Sequence, residues 1–411
     1  MPSPIDPETV QLLQGGQTLF PALIDAFDVS TSWIQLETYI FDLHGASAEV
    51  AGALVRAAQR GVMVQILVDA VGTEALSAEW QQRFASSGVQ WFAYSPVGSS
   101  LGFLVPERWR RLHRKLCVVD EKIMFCGGIN ILDDLYDPNH GTLDAPRFDF
   151  AVAITGPLAA EATDAMALLW WRVQAGYSAR QRHLNEAWEN FRAAGYGGRT
   201  DIKKLSQASS LVAGTACENS RRKAALLLRD NLRNRHNIER AYRKAIGKAR
   251  HEIIIANAYF LPGGKLRRAL IKAARRGVQV TLLLQGKYEY FMQYHAAKPV
   301  YGALLAAGVE IHEYSTSFLH AKVAVVDGHW ATVGSSNLDP LSLLLAREAN
   351  VVIEDKAFAS DLRNRLNQAV ADHGKRIDPA RYTRRSLGLR VLGWMAYALM
   401  RLALVLTGQR Y

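Results

Sequence analysis

The stretch Leu112-His113-Arg114-Lys115-Leu116-Cys117-Val118-Val119-Asp120 returns late in the chain as Leu319-His320-Ala321-Lys322-Val323-Ala324-Val325-Val326-Asp327. Each copy continues, at the same offset, into a glycine-led tetrapeptide: Gly127-Gly128-Ile129-Asn130 and Gly334-Ser335-Ser336-Asn337. A single H-x-K-x4-D match is expected about 0.03 times by chance in a chain of this composition. Two matches with the trailing glycine and asparagine in register mark an internal duplication. The valine-rich runs read as strands, on which residues i and i+2 share a face. His113 with Lys115, and His320 with Lys322, therefore converge on one pocket. The Asp-Glu-Lys and Asp-Gly-His stretches that follow read as tight turns into further strands over residues 123–126 and 330–333. Asn130 and Asn337 then stand where those strands end, as amide donors for a phosphoryl oxygen. Two cations and two amide donors suit a phosphodiester whose transition state spreads charge over oxygen.

The duplication extends upstream. Arg56-Ala57-Ala58-Gln59-Arg60-Gly61-Val62 matches Lys272-Ala273-Ala274-Arg275-Arg276-Gly277-Val278. A β-rich run precedes each (33–41 and 252–260), and a helix-like stretch ends at a glycine suited to a left-handed C-cap. An apolar β-branched run follows (62–68 and 278–284), short enough to be a buried parallel strand. Strand, helix, strand at this spacing is a βαβ unit. The expected fold is α/β: two homologous lobes, each a mixed sheet flanked by helices, related by a pseudo-two-fold axis with the site between them. The expected divisions are 1–205, 206–375 and a basic amphipathic segment 376–411. The join contains Gly195, Gly197, Gly198 and the polar run 206–210, which is linker composition.

At 411 residues the chain is long enough for two cores, and its 49% hydrophobic content is that of a globular protein. The net charge of +11 is uneven. Residues 221–250 carry +9 and residues 376–411 carry +6, on a body of −4. Two basic segments predict an anionic partner, either lipid or nucleic acid, with solvated helix faces as the plainer alternative. Cys117, Cys126 and Cys217 show no CxxC spacing, which points to a reducing compartment and away from a zinc site or disulfide framework. Residues 1–7 lack the basic and apolar regions of a secretory signal. Residues 387–406 are mostly apolar but interrupted by Arg390 and Arg401, with Tyr397 near the same helical line. Preceded by Arg381, Arg384 and Arg385, this pattern predicts a helix lying in a membrane interface; a helix docked on the protein's own core is the alternative. Tyr288, Tyr290, Phe291, Tyr294 and the apolar stretch 101–105 either admit acyl chains or pack.

On the doubled motif, on Ile255-Ala256-Asn257-Ala258-Tyr259-Phe260-Leu261-Pro262-Gly263, and on the run from His329 to Ser342, the chain resembles the phospholipase D superfamily. Within it the chain is similar to the bacterial cardiolipin synthases, in the form without N-terminal membrane spans. The likeness covers roughly residues 10–370, and Leu36-Glu37-Thr38-Tyr39-Ile40-Phe41 fits the same subfamily. The resemblance implies two-step displacement at phosphorus without metal or other cofactor, using His113, Lys115, Asp120, His320, Lys322 and Asp327. One histidine attacks and becomes a phosphohistidine; the other protonates the leaving alcohol and deprotonates the incoming one. Family habit makes His113 the nucleophile and His320 the acid/base, although the residues alone leave the reverse open. The implied phosphate-binding groups are Asn130, Asn337, Ser335 and Gly128, where Gly128 departs from the serine of the family pattern. Asp149 and Glu348 are implied as the acids that orient the histidines, and Asp120 and Asp327 as braces of the turns. The implied reaction moves a phosphatidyl group from phosphatidylglycerol to a second lipid alcohol; the C-terminal pattern sets it at an anionic membrane, and the lack of a secretory signal points to the cytoplasmic face. Hydrolysis, or a nuclease-type phosphodiesterase, is the alternative, and nucleic acid is the less expected partner. A non-catalytic scaffold would have no use for two intact motifs. The acceptor and the oligomeric state have no signature in the sequence.

Overall fold

The computed structural model describes residues 9–95, 110–138, 140–180, 223–230, 234–287, 291–339, 346–383 and eight positions between 388 and 399. The first lobe runs β1 (Val10–Gln14), α1 (Gly16–Asp28), β2 (Trp33–Thr38), α2 (Ala46–Gln59), β3 (Met63–Asp69), α3 (Ala78–Ser87) and β4 (Gln90–Tyr94). It continues through β5 (Arg111–Leu112), β6 (Lys115–Val119), β7 (Ile123–Gly127), β8 (Tyr136–Asp137), β9 (Gly141–Thr142), β10 (Phe150–Thr155) and α4 (Pro157–Arg180). The second lobe is β11 (Ala224–Arg229), α5 (Asn237–Lys248), β12 (Glu252–Asn257), α6 (Gly264–Arg275), β13 (Gln279–Gln285), α7 (Phe291–Leu305) and β14 (Glu310–Tyr314). It closes with β15 (Lys322–Val326), β16 (Trp330–Gly334), β17 (Ala346–Glu354), α8 (Lys356–His373), β18 (Gly374–Arg376) and α9 (Pro379–Thr383).

Both lobes are built around the expected βαβ unit. β2 pairs with β3 in parallel, and β12 with β13, while β6 and β15 run antiparallel to the first strand of each unit. The sheets are thus mixed: seven strands in the order β1-β10-β7-β6-β2-β3-β4, and nine in a sheet that runs β11-β17-β16-β15-β12-β13-β14-β18 with β5 attached to β17. Every residue of β6 and β15 is buried, because helices or the other lobe cover both faces. One apolar cluster spans the lobes, joining Leu116, Val118 and Phe150 to Val323, Val325 and Val351, with Met166 of α4 and Leu362 of α8 at its sides. Gly61 and Gly277 close the helices of the two units with φ of 92° and 91°, as the sequence requires.

Two expected boundaries shift. The strand predicted over 33–41 leaves the sheet at Thr38; the Tyr39 carbonyl accepts instead from Thr73 Oγ1 at 2.8 Å, and only Phe41 returns as a bridge to Ile131. At the other end, β18 pairs with β14 and Tyr382 packs on Tyr301, so lobe two reaches into α9. The join at 195–220, the stretch 101–105, Tyr288 and Tyr290, and Arg390, Tyr397 and Arg401 lie outside the described residues, as do the side chains of Phe291 and Tyr294.

The turn after each motif explains its aspartate. Lys122 N–H donates to the Val119 carbonyl across a turn with Asp120 at φ 51° and Glu121 at φ 56°, the two left-handed residues of a type I′ hairpin. The counterpart in lobe two has Asp327 at φ 51° and Gly328 at φ 62°. The Asp120 carboxylate accepts the backbone N–H groups of Thr31, Ser32 and Trp33 at 2.8, 2.9 and 2.8 Å, which caps the start of β2. Asp327 does the same for Arg250, His251 and Glu252 at 2.8, 2.8 and 3.0 Å. Burial would raise the Asp120 carboxyl, but these bonds outweigh it and hold it well below the usual aspartate range. At about 3.3 Å per residue along β6 and β15, both aspartates lie a full strand from the histidines, and their place in the motif is structural.

A left-handed backbone is strained for glutamate and open to glycine. Glu121→Gly, which copies Gly328, is expected to stabilise the protein by about 0.5–1 kcal/mol and Gly328→Glu to destabilise it by a similar amount. Urea-unfolding midpoints of the two variants check this, and a lower midpoint for Glu121→Gly would contradict it.

Candidate active site

Each histidine is fixed by the other lobe. β5 pairs in parallel with β17, and His113 N–H donates to the Arg347 carbonyl at 3.0 Å. In the mirrored arrangement Phe148 bridges Leu319, and His320 N–H donates to the Phe148 carbonyl at 3.0 Å. The residue after each of these carbonyls is an acid. His113 Nδ1 lies 3.1 Å from both carboxylate oxygens of Glu348, and His320 Nδ1 lies 2.6 Å from Asp149 Oδ2. The imidazoles keep 16% and 19% exposure, whereas Glu348 and Asp149 are at 0% and 3%. Both rings thus retain an open edge while the acids sit behind them.

The lysines stand beside the histidines, as the two-residue spacing predicts. Lys115 Nζ donates to the His113 carbonyl at 2.9 Å, and Lys322 Nζ donates to the His320 carbonyl. Both side chains are buried, at 6% and 0%. Burial, reinforced by the nearby Lys322 charge, brings Lys115 down to about 7. Burial also lowers His113, against the opposing pull of Glu348. His320 falls well below the ordinary histidine value, through burial and then the Lys322 and Lys115 charges. The two acids part company. Burial lifts Asp149 to about 7 in spite of Lys322. Burial would raise Glu348 too, but His113, Lys115 and the Ser335 hydroxyl outweigh it and hold Glu348 below the usual glutamate value.

The phosphate-binding group is rearranged by the structure. Asn130 Oδ1 accepts from Ile40 N–H at 3.2 Å, which leaves its amide hydrogens without a partner among the described residues. Asn337 is 2% exposed with no partner for its Oδ1 among them. Ser335 does not face the open edge of the site: it is fully buried and its hydroxyl donates to Glu348 Oε2 at 2.5 Å. Gly128 meets Asp149 in the corresponding place. Three features escape the sequence reading. The Tyr39 ring lies 5.0 Å from that of His113 and 5.5 Å below Lys115 Nζ, where the repeat has Ala258 in lobe two. Glu37 and Arg114 form a fully buried ion pair beneath the motif strand. Asp69 accepts from Leu112 N–H at 2.8 Å and Gln285 from Leu319 N–H at 3.1 Å, so each anchors the entry to a motif. Comparing the two repeats position by position would have singled out Tyr39 and the Asp69/Gln285 pair. Among the described residues, no cluster of three or more His, Cys, Asp or Glu is arranged to hold a metal ion.

Two lobes of one fold, each completing the other's histidine, with two buried amines alongside, form a paired site whose chemistry suits an enzyme of phosphodiesters. The family described as "Cardiolipin synthase, PLD-like domain" matches residues 23–143 and 242–370. Cardiolipin synthase B of Escherichia coli K12 is 36% identical over 388 residues, covering 92% of this chain and 84% of that protein. Cardiolipin synthase B of Salmonella typhi is 35% identical over the same length. In fold, a crystal structure of phosphatidylserine synthase from Haemophilus influenzae superposes with a TM-score of 0.65 at 14% identity, covering 96% of this chain and 93% of that one. The chain belongs to the cardiolipin synthase family of the phospholipase D superfamily and is a phosphatidyltransferase of that superfamily.

Asp149→Asn and Glu348→Gln are each expected to lower turnover about 10²–10⁴-fold in a folded protein: the first removes a carboxyl that can exchange a proton with His320, the second the carboxylate that orients His113. Turnover of the unaltered enzyme should fall as pH rises through about 7. Lys115, lowered from its ordinary value, is charged below that pH and loses its charge above it; Asp149, raised, gives up its proton over the same interval. A rate that is independent of pH across neutrality would remove both groups from the chemistry.

Proposed function

We propose that the chain transfers a phosphatidyl group from phosphatidylglycerol to the glycerol hydroxyl of a second phosphatidylglycerol, giving cardiolipin and glycerol. The observation that carries this reading is the pair of crossed histidine–carboxylate contacts at 3.1 and 2.6 Å, in a chain so similar to cardiolipin synthases. His113 is the nucleophile. An ionised Glu348 accepts the Nδ1 hydrogen of His113, so Nε2 keeps its lone pair for attack on phosphorus. The bond from phosphorus to the glycerol oxygen breaks, and the proton for that oxygen comes from His320. A protonated Asp149 donates to His320 Nδ1, which leaves the hydrogen on Nε2; as that hydrogen passes to the leaving oxygen, the Asp149 proton moves onto Nδ1, so the ring stays neutral and Asp149 becomes a carboxylate. In the second step His320 Nε2 removes the proton of the incoming hydroxyl and the Nδ1 proton returns to Asp149, while the hydroxyl oxygen displaces His113 from phosphorus. Lys115, Lys322 and the Asn130 and Asn337 amides hold the phosphoryl oxygens.

The same reading sets the enzyme on an anionic bilayer, at its cytoplasmic face. Val391, Met395 and Leu399 repeat every fourth residue and are 55%, 56% and 54% exposed, while Ala396 is buried in the core of lobe two. Among the described residues no helix is long and apolar enough to cross a membrane. No acidic residue follows Asp378, and six arginines do. An exposed apolar row in a segment whose sequence carries arginines and no acid matches the headgroup boundary of an anionic membrane. The +9 segment lends less to nucleic acid than its count suggests: Arg229 is 1% exposed and Lys223 is paired with Asp355.

Incubation with phosphatidylglycerol vesicles, with lipid products read by mass spectrometry, should give cardiolipin and free glycerol, and neither with His113→Ala or His320→Ala. Phosphatidic acid alone would make the enzyme a hydrolase. Replacing Val391, Met395 and Leu399 together by serine is expected to weaken co-sedimentation with those vesicles about tenfold or more. Unchanged binding would place the membrane contact elsewhere.

A further inference from the structure

The two half-sites are not equal behind their histidines. Ser335 and Gly128 hold the same place in two hairpins: Ser335 N–H donates to the Ala349 carbonyl and Gly128 N–H to the Phe150 carbonyl, each at 2.9 Å. In lobe two the Ser335 hydroxyl donates to Glu348 Oε2 at 2.5 Å and accepts from Ala349 N–H at 3.0 Å. In lobe one there is no room for a side chain. A Cβ on Gly128 would lie 2.6 Å from Asp149 Oδ2 and closer still to Oδ1. The Asp149 carboxylate fills that volume, and its Oδ1 accepts from Phe150 N–H at 2.7 Å, the bond that the serine hydroxyl takes in lobe two. Glutamate, longer by one methylene, reaches past a serine to His113; aspartate folds back against a glycine to reach His320. Serine with glutamate and glycine with aspartate are two fillings of one frame.

We infer that Ser335 and Gly128 are positioning residues, each matched in size to the acid beside it, and that this unequal matching gives the two histidines their separate roles. The inference rests on the two-histidine transfer proposed above. Glu348 receives a hydroxyl donor that Asp149 lacks, and a carboxylate with an added donor keeps its negative charge. Glu348 therefore accepts from its histidine and leaves Nε2 of His113 bare. Asp149, with the Phe150 N–H in place of a hydroxyl, holds a proton for the His320 pair.

Two sets of variants test this on the full-length enzyme. Gly128→Ser alone should lower turnover at least about 10²-fold by displacing Asp149, and Asp149→Glu alone should do so by overfilling the frame. The double variant Gly128→Ser/Asp149→Glu should regain the melting temperature that each single variant loses, a coupling that independent sites do not show. Its turnover should stay at least about 10²-fold down because the two pairs are then alike, and be no lower than in the single variants. A double variant that melts no higher than the single variants would overturn the matched frame, and one that turns over at the unaltered rate would overturn the separation of roles. Ser335→Ala leaves the volume nearly intact and removes only the hydroxyl. With the donor gone, Glu348 holds a proton to higher pH, and the acidic limb of kcat/KM should move up by about one pH unit with KM little changed. A raised KM with an unmoved limb would make Ser335 a substrate contact and overturn the inference. The same cycle read on a soluble aryl phosphodiester separates the two ideas. Coupling and limb shift there, without cardiolipin from phosphatidylglycerol, would leave the positioning role standing and the transfer reading fallen.

Discussion

The contacts from His113 to Glu348 and from His320 to Asp149 span 235 and 171 residues of sequence, and each crosses from one lobe to the other. Neither lobe holds a complete half-site, so the chemistry depends on how rigidly the lobes are joined. The backbone does this next to the acids themselves. His113 and His320 each donate to the carbonyl that immediately precedes the orienting carboxylate, so main chain and side chain are fixed by one short segment. Behind that junction the apolar cluster runs from one sheet to the other without a break. A dense core transmits small displacements rather than absorbing them, which suits a site that must hold two rings against two distant acids.

The lysines set a second condition. Each is buried, and each donates to the carbonyl of the histidine two residues before it. Buried like charges disfavour one another, and Lys115 is brought down to about 7 by burial and by Lys322. In the proposed reaction a phosphodiester enters between them and supplies the missing negative charge, which recovers part of the cost of desolvating the amines. Tyr39 adds an aromatic face beneath Lys115 on the lobe-one side only. Two repeats of one unit thus differ at Tyr39, Gly128 and Asp149, which lie beside or behind the two histidines.

Much of this was legible in the sequence where a local period governs. The two-residue spacing put His113 with Lys115, and His320 with Lys322, on common faces; the turn residues placed the hairpins; the glycines at 61 and 277 ended the helices. What a period does not carry is a partner in another lobe. Asp149 and Glu348 entered through family resemblance alone, since nothing in the spacing of 113 and 149 says that the acid serves His320. Ser335 was misplaced for a related reason: its motif position points toward phosphate, but the length of the neighbouring acid decides where its hydroxyl goes. In the basic segment 221–250 a charge count is blind to burial: Arg229 sits in the core with its Nε bonded to the Arg235 carbonyl.

The proposed reaction gives the duplication a chemical sense. Its leaving group is a glycerol and its incoming group is the glycerol end of a second lipid, so the two steps are near mirror images at phosphorus. A pseudo-symmetric site offers each step the same ring of cations and amides. Full symmetry would defeat the purpose, because two identical histidine–acid pairs would hold the same number of protons, and either both or neither could attack. One pair must arrive bare and the other loaded. The fold supplies that difference behind the histidines, in Ser335 with Glu348 and Gly128 with Asp149.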